Sequence, residues 1–315
     1  MNSKRESQYF FYSSLWILAI LIVCGAIFCP GFLSGFNATS ILRQISYITL
    51  MAYGATVIIM LGHINVAYGS EMALIGCVSC EVMVVTGNIV LAILAALLLG
   101  ALIGLFIAFI VTRFGIPSFI VTLIVSMISR GAAMVFTNSA PITNLGKYTV
   151  IGQGMVGKIP VPVFIMAMGF FIIWAIVNKT GFGRQVIAVG ENVKASKASG
   201  IRVKHVIMKT YILDGVFTAV AAVVFMARMN SGIPASGESS EFDVITAVVL
   251  GGTSLTGGTG NVIGTVIGAM IVGMINNMLN LWGINYNWQS IIKGIFIMLV
   301  IIIDYSVKKQ KKPIL

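Results

Sequence analysis

The chain has 315 residues, 58% of them hydrophobic and 9% charged, with a mean hydropathy of +1.01. A soluble domain carries roughly 25% charged residues because its surface must face water, so a soluble enzyme, a disordered segment and a secreted disulfide scaffold are excluded. The net charge of +11 does not indicate nucleic acid, because the basic residues punctuate apolar runs instead of gathering on one polar face. That pattern belongs to orientation in a membrane.

The first apolar run, Phe10 to Phe28, follows Lys4 and Arg5. It is long for a signal-peptide core, and Ile27-Phe28-Cys29-Pro30 is no small-residue cleavage site. Leu21-Ile22-Val23 also lacks the small residue that precedes a lipidated Cys24. An uncleaved first span is expected. A crossing needs ~20 apolar residues, and that length picks out spans at 11–29, 40–61, 66–86, 89–111, 117–137, 161–178, 206–228, 243–257, 262–281 and 287–304. The third and eighth are weakened by Gly, Ser and Thr.

With the N-terminus inside, fourteen of the 20 Lys and Arg residues fall on inner segments, with Arg43, Arg130, Lys147, Lys158, Arg228 and Lys293 elsewhere. Both termini are therefore expected to be cytoplasmic, which an even number of spans satisfies. The polar segment 138–160 falls outside and 178–209 inside. Five spans on each side of the external loop have the parity of an inverted repeat. The expected fold is an all-α polytopic membrane protein of about ten transmembrane helices, forming one domain over 1–315: a first half to 137, the external loop 138–160, and a second half from 161 that carries the cytoplasmic loop 179–209.

Two interruptions echo each other, Gly62-His-Ile-Asn-Val-Ala-Tyr-Gly-Ser70 and Gly251-Gly-Thr-Ser-Leu-Thr-Gly-Gly258. Glycine and polar side chains inside an apolar run break a helix, and the freed backbone groups need protein or water partners. Such breaks line solute paths. Gly264, Gly268 and Gly273 instead lie at helical spacing and read as close packing.

Among charges within spans, Glu71, Glu81, Arg130, Asp214, Arg228, Asp243 and Lys293 qualify as functional candidates. Arg130, Arg228, Glu241 and Asp243 are expected to form a structural ion-pair cluster near the outer side, and Asp214 to pair with nearby Lys209 or to snorkel, ahead of relaying protons. His63, the only histidine in a span, reads as a hydrogen-bonded structural group ahead of a proton carrier, and His205 as solvated. Cys77 and Cys80 have C-x-x-C spacing without a second Cys or His pair, so they read as small apolar residues on one helix face. Gly152-Gln-Gly-Met-Val-Gly157-Lys158 matches the start of a P-loop, but Ile159-Pro160 follows where Ser or Thr is needed, and no strand precedes it. No Ser-His-Asp set, metal cluster or paired-carboxylate site stands out. No catalytic residue, metal or cofactor is expected on this chain.

In the aqueous stretch from Gly181 to Val203, residues Glu191 to Ser199 read as a short helix stopped by Gly200. Its surface is small and it is marginal alone, so a partner's groove is the environment that would order it.

From Thr180 to Asp304 the chain resembles the permease subunits of bacterial ATP-binding-cassette importers for ribose, xylose, galactosides and related small sugars. The matching pieces are Thr180-Gly-Phe-Gly-Arg184, Ala188-Val-Gly-Glu-Asn192, Ala198-Ser-Gly-Ile201, Ala227-Arg228, Glu241-Phe-Asp243, Val249-Leu-Gly-Gly-Thr-Ser-Leu255, Gly257-Gly258, Gly264-Thr265, Asn276 to Leu281 and Lys293-Gly294. Pro117-Ser-Phe-Ile-Val-Thr-Leu123 and Arg130-Gly131 match earlier.

The resemblance implies a second permease subunit, identical or different, a cytoplasmic ATP-binding-cassette ATPase and an extracytoplasmic solute-binding protein, all in or against the lipid of the bacterial inner membrane. It assigns Gly190, Glu191, Asn192, Ala195, Ala198, Ser199, Gly200 and Ile201 to the helix that couples to the ATPase, and places the Gly62–Ser70 break along the path. The first half departs from the family's Gly-Gly-Ile-Asp-Leu-Ser-Val-Gly-Ser. His63 replaces the second Gly, Asn65 the Asp, Ala67 the Ser and Tyr68 the Val, and Asp214 stands where Ser is usual.

The expected path residues are His63, Asn65, Tyr68 and Ser70, with Asn276, Asn277 and Asn280 on the penultimate span. Amides and hydroxyls suit sugar hydroxyls because they donate and accept without charge, while hydrogen bonds between helices account for the Asn trio equally well. The alternative is an ion-coupled secondary transporter using Glu71, Asp214 or His63, which has no need of the loop at Gly190–Ile201. A membrane-embedded enzyme lacks a catalytic set.

Overall fold

A computed structural model describes residues 2–285, 287–292, 294, 295 and 298. The chain is helical nearly throughout: α1 (Asn2–Phe28), α2 (Gly35–Met60), α3 (Tyr68–Thr86), α4 (Ile89–Phe114), α5 (Ser118–Phe136), α6 (Thr149–Gln153), α7 (Val161–Lys179), α8 (Gly181–Glu191), α9 (Val193–Ala198), α10 (Val203–Met229), α11 (Ser240–Leu250) and α12 (Val262–Leu281). The strands β1 (Met155–Val156) and β2 (Ile159–Pro160) form a small antiparallel hairpin. An all-helical build follows from the solvent, since in hydrocarbon a helix satisfies its own backbone.

Among the described residues seven helices, α2, α3, α4, α5, α7, α10 and α12, are long and apolar enough to cross a membrane, and the apolar stretch Ser14–Phe28 of α1 is shorter. The count of about ten is not confirmed among the described residues. The eighth span, expected over 243–257, is the 11-residue α11, about 16 Å long at 1.5 Å per residue, roughly half the hydrocarbon thickness. It stops at Leu250 because Gly252, Gly257 and Gly258 all take positive φ in the segment that follows. Half of the expected tenth span, 287–304, lies outside the described residues.

Burial sorts the long helices. The apolar windows of α2, α10 and α12 are 78%, 72% and 72% buried, and those of α4, α5 and α7 only 22%, 28% and 22%. The first three form the interior and the other three turn apolar side chains such as Leu94, Leu98, Leu102, Phe119 and Phe171 outward. In lipid that outward face needs no cover, and helices associate through close packing and hydrogen bonds. The contact of α4 with α10 shows how: Gly100 and Gly104 lie directly against the backbone of Tyr211 and Gly215. The helical glycines of α12 behave as expected, Gly264 lying against the Gly251 carbonyl, Gly268 against the Ala247 carbonyl and Gly273 against Ile45.

The P-loop-like stretch is the end of α6 followed by the hairpin, with Gly157-Lys158 at its turn. Arg43 on α2 donates to the Gln153 carbonyl at 2.8 Å and Gln153 donates to the Arg228 carbonyl at 2.9 Å, pinning this segment across one end of the bundle. The other end carries Arg113, Lys179, Arg184, Lys194, Lys197, Arg202 and Lys204, at or near the helix ends that meet there.

Candidate functional site

The two interruptions meet. Between α2 and α3 the chain leaves the helix at Leu61, turns at Gly62 (φ +80°) and runs without regular structure to Ala67. Between α11 and α12 residues 251–261 are non-helical, as expected for the second break. Gly258 N–H donates to the Met60 carbonyl at 2.9 Å, satisfying a carbonyl at the end of α2. A Cβ on Gly257 would lie 2.9 Å from the Gly62 α-carbon. A side chain has no room at this junction.

The end of α8 is wedged into the same place. A Cβ on Gly190 would collide with the Met60 carbonyl oxygen and lie 2.7 Å from Gly258 N, and one on Gly258 would lie 2.6 Å from Glu191 Cγ. Beyond it the expected 191–199 helix divides. Glu191 closes α8, and Asn192 takes extended backbone and caps α9, its Oδ1 accepting from Ala195 N–H at 3.0 Å. An Asn side chain that caps the next helix ends the previous one. Of residues 191–200 only Ser196 is buried, so Ala195, Ala198, Ser199 and Gly200 form an exposed small-residue surface. Gly200 takes φ +82°, as a helix-stopping glycine does, and Ile201 is half-buried behind it.

Inside the membrane span, α10 gathers the first break. Asn65 Nδ2 donates to Asp214 Oδ2 at 3.0 Å, and the Tyr68 hydroxyl donates to Asp214 Oδ1 at 3.0 Å. Asp214 is not paired with Lys209 as expected: five residues along a helix turn the two side chains about 140° apart. Gly54 of α2 clears the space Asp214 occupies, since a Cβ there would collide with its carboxylate. His63 Nδ1 is hydrogen-bonded to the Tyr211 hydroxyl at 3.2 Å, the hydrogen-bonded role expected of it. The non-helical backbone of the break is held by α5 side chains, with Ile64 N–H donating to Ser118 Oγ at 3.2 Å and Val66 N–H to Thr122 Oγ1 at 3.3 Å. Ser70 reaches Ser126 at 2.9 Å. These bonds supply the partners that lipid cannot.

The Asn trio lies elsewhere, each member with its own partner. Asn276 Nδ2 donates to Asp243 Oδ2 at 2.9 Å, Asn277 and Asn37 exchange bonds at 2.8 and 3.0 Å, and Asn280 accepts from Gln289 at 2.9 Å. Arg130 donates to the Pro234 and Ser236 carbonyls at 2.6 and 2.7 Å, and Arg228 lies 6.0 Å from the Tyr47 ring. Arg130 thus fixes the loop that leads into α11. Cys77 and Cys80 are buried free thiols. Among the described residues no group of His, Cys, Asp and Glu is arranged to hold a metal ion.

A family profile described as a branched-chain amino acid transport system permease component matches residues 37–301. The chain is 38% identical over 302 residues to the ribose import permease protein of Escherichia coli, covering 94% of both chains. It is 39% identical over 290 residues to the ribose import permease protein of Bacillus subtilis, covering 91% of this chain and 90% of that one. It is 29% identical over 297 residues to the L-arabinose ABC transporter permease protein of Azospirillum brasilense, covering 94% and 88%. No solved structure matches the chain.

The chain belongs to this permease family.

In the permease, two departures noted in the sequence prove to be one feature. Asn65 and Asp214 lie 149 positions apart yet share a hydrogen bond. With Asn at 65 the acid of this pair stands on α10, where the family pattern has it on the break. The sequence also gave no reason to select Tyr211, Gly54 or Thr56. Thr56 bonds Thr265 at 2.8 Å and so ties α2 to α12 beside the second break. The small-xxx-small spacing of Gly100 and Gly104 was the one available signal for the α4–α10 contact.

Proposed function

We propose that the permease is the membrane-spanning subunit of an ATP-driven importer of a small polar solute of the monosaccharide class. Its relatives are named for ribose and arabinose. The observation that carries the reading is the Gly190 junction. An exposed, small-surfaced helix, α9, follows directly on a backbone wedge that touches both interruptions. A partner that displaces α9 pulls on Gly190, and through Met60 and Gly258 moves the break in each half of the chain.

In this reading the Lys- and Arg-rich end of the bundle is cytoplasmic, with both chain termini on that side. An ATPase docks there on Gly190–Ile201, and a solute-binding protein meets the opposite end. A second permease subunit completes the path. This chain supplies no catalytic residue, because hydrolysis belongs to the ATPase. His63, Asn65, Tyr68 and Ser70 form the wall that shifts when the first break moves. Asn276, Asn277 and Asn280 hold α12 to its neighbours while it does so. An ion-coupled carrier has no use for an exposed α9 joined to both breaks.

Replacing Ala195 with Trp tests the docking surface. The side chain is exposed, so the fold tolerates the change. Expected in proteoliposomes holding the permease with its ATPase and binding protein is uptake reduced at least ~tenfold, a cost near 1.4 kcal/mol in the coupled step, with the permease still inserted and monodisperse. Wild-type uptake by Ala195→Trp would remove α9 from the interface.

A further inference from the structure

Glu71 is 1% exposed, and its Oε1 has no hydrogen-bond partner. It lies on α3 one turn beyond Tyr68 and so shares a helix face with it, the face whose Tyr68 hydroxyl reaches Asp214. Asp214 is also 1% exposed, but each of its oxygens accepts a hydrogen bond. Two donors favour the charged form of the Asp214 carboxylate. A second charge beside it, inside the membrane, has only the Asn65 amide to offset it.

The surroundings offer no countercharge. From the break comes His63, engaged with Tyr211 of α10. From α2 comes Gly54 against Asp214, with Tyr53 donating to the Met166 carbonyl. From α11 comes Glu241, near Gly69. The buried face of α4 carries only Ala, Gly, Ile and Val, and the cation of α5, Arg130, is spent on the Pro234 and Ser236 carbonyls. A metal cation fits poorly, because hard cations need several oxygen ligands. Asn65 Oδ1 is already taken by Ala67 N–H at 2.9 Å, and both Asp214 oxygens are taken as well. The ligand that needs only one free oxygen is a proton.

We propose that Glu71 is an intramembrane proton-binding site, held neutral beside ionised Asp214, and that its proton locks the first break against α10. The proton is a resident of the closed contact and drives no transport. When the contact opens to water Glu71 ionises, and two adjacent negative charges then oppose reclosure until a proton returns.

The test uses the purified full chain in lipid nanodiscs without partners, so it stands apart from the importer reading. Infrared spectra at neutral pH are expected to show a protonated-carboxyl carbonyl band that Glu71→Gln abolishes and Asp214→Asn retains. Absence of the band, or its loss in Asp214→Asn alone, overturns the assignment. A second readout is the pH dependence of thermal stability. The folded chain holds a proton that the unfolded chain releases, so stability is full at low pH and falls as pH rises. Glu71→Gln, which keeps the neutral shape, is expected to flatten that decline. An equal decline in wild type and variant contradicts the proposal.

Discussion

Gly190→Val is expected to abolish coupled transport while leaving the spans in place. Two backbones meet at this glycine from elements far apart in sequence, the end of α2 at Met60 and the second break at Gly258. Neither is the free end of a flexible side chain, so neither can yield by a change of rotamer. The branched side chain forces α8 out of the junction, and the Gly258-to-Met60 hydrogen bond of 2.9 Å goes with it. Overpacking of this kind costs about 1–3 kcal/mol. That is small against a membrane-inserted bundle and large against the difference between two gate states. The measurement is ATP-dependent uptake beside ATP hydrolysis in the reconstituted complex. Uptake is expected to fall at least ~tenfold, the kinetic equivalent of about 1.4 kcal/mol, with hydrolysis persisting. Gly115→Ala, outside the docking surface, is the comparison. It introduces strain at φ +70° but nothing lies within 4 Å of the added carbon, so its cost stays at about 1–2 kcal/mol. Equal uptake in wild type and Gly190→Val would separate the junction from coupling.

Gly215→Val is expected to produce the largest loss of stability. The residue follows Asp214 on α10, and a Cβ there would collide with the Gly100 carbonyl oxygen and lie 2.8 Å from its carbonyl carbon. Helix pairs in lipid hold together through such close approach, so forcing α4 from α10 forfeits dispersion contacts along the whole crossing. The shift also drags Asp214 from Asn65 and Tyr68, and a hydrogen bond to a charged group contributes about 1.5–3 kcal/mol. The thermal midpoint in detergent is expected to drop by several degrees. Gly131→Val on lipid-facing α5, with nothing within 4 Å, is expected to leave it within about 0.5 kcal/mol of wild type. Matching midpoints for the two variants would show that the α4–α10 approach is not what holds the bundle.

The spans from α2 to α5, with α7, α10 and α12, were legible because a long apolar run in a membrane protein has one stable backbone form. Glycine marked both breaks. The length of α11 was not legible, since the residues from Val244 to Gly258 are apolar or small throughout and only the positive φ of Gly252, Gly257 and Gly258 ends the helix. The split at Asn192 was hidden because a cap for one helix reads equally well as the interior of a longer one. The Asn65–Asp214 bond and the meeting of Gly62 with Gly257 are contacts between distant segments. Periodicity along a chain carries no information about which faces meet. Residue types nominated the first break correctly as a polar feature, but assigning Asp214 to Lys209 followed sequence proximity where helix geometry decides.

The most direct test of a membrane gate driven from outside itself is accumulation of a pentose by proteoliposomes containing the permease. With its ATPase, its binding protein and ATP present, the sugar is expected to concentrate inside, and with the permease alone under an imposed proton or sodium gradient it is not. Accumulation by the lone permease on an ion gradient would contradict the account.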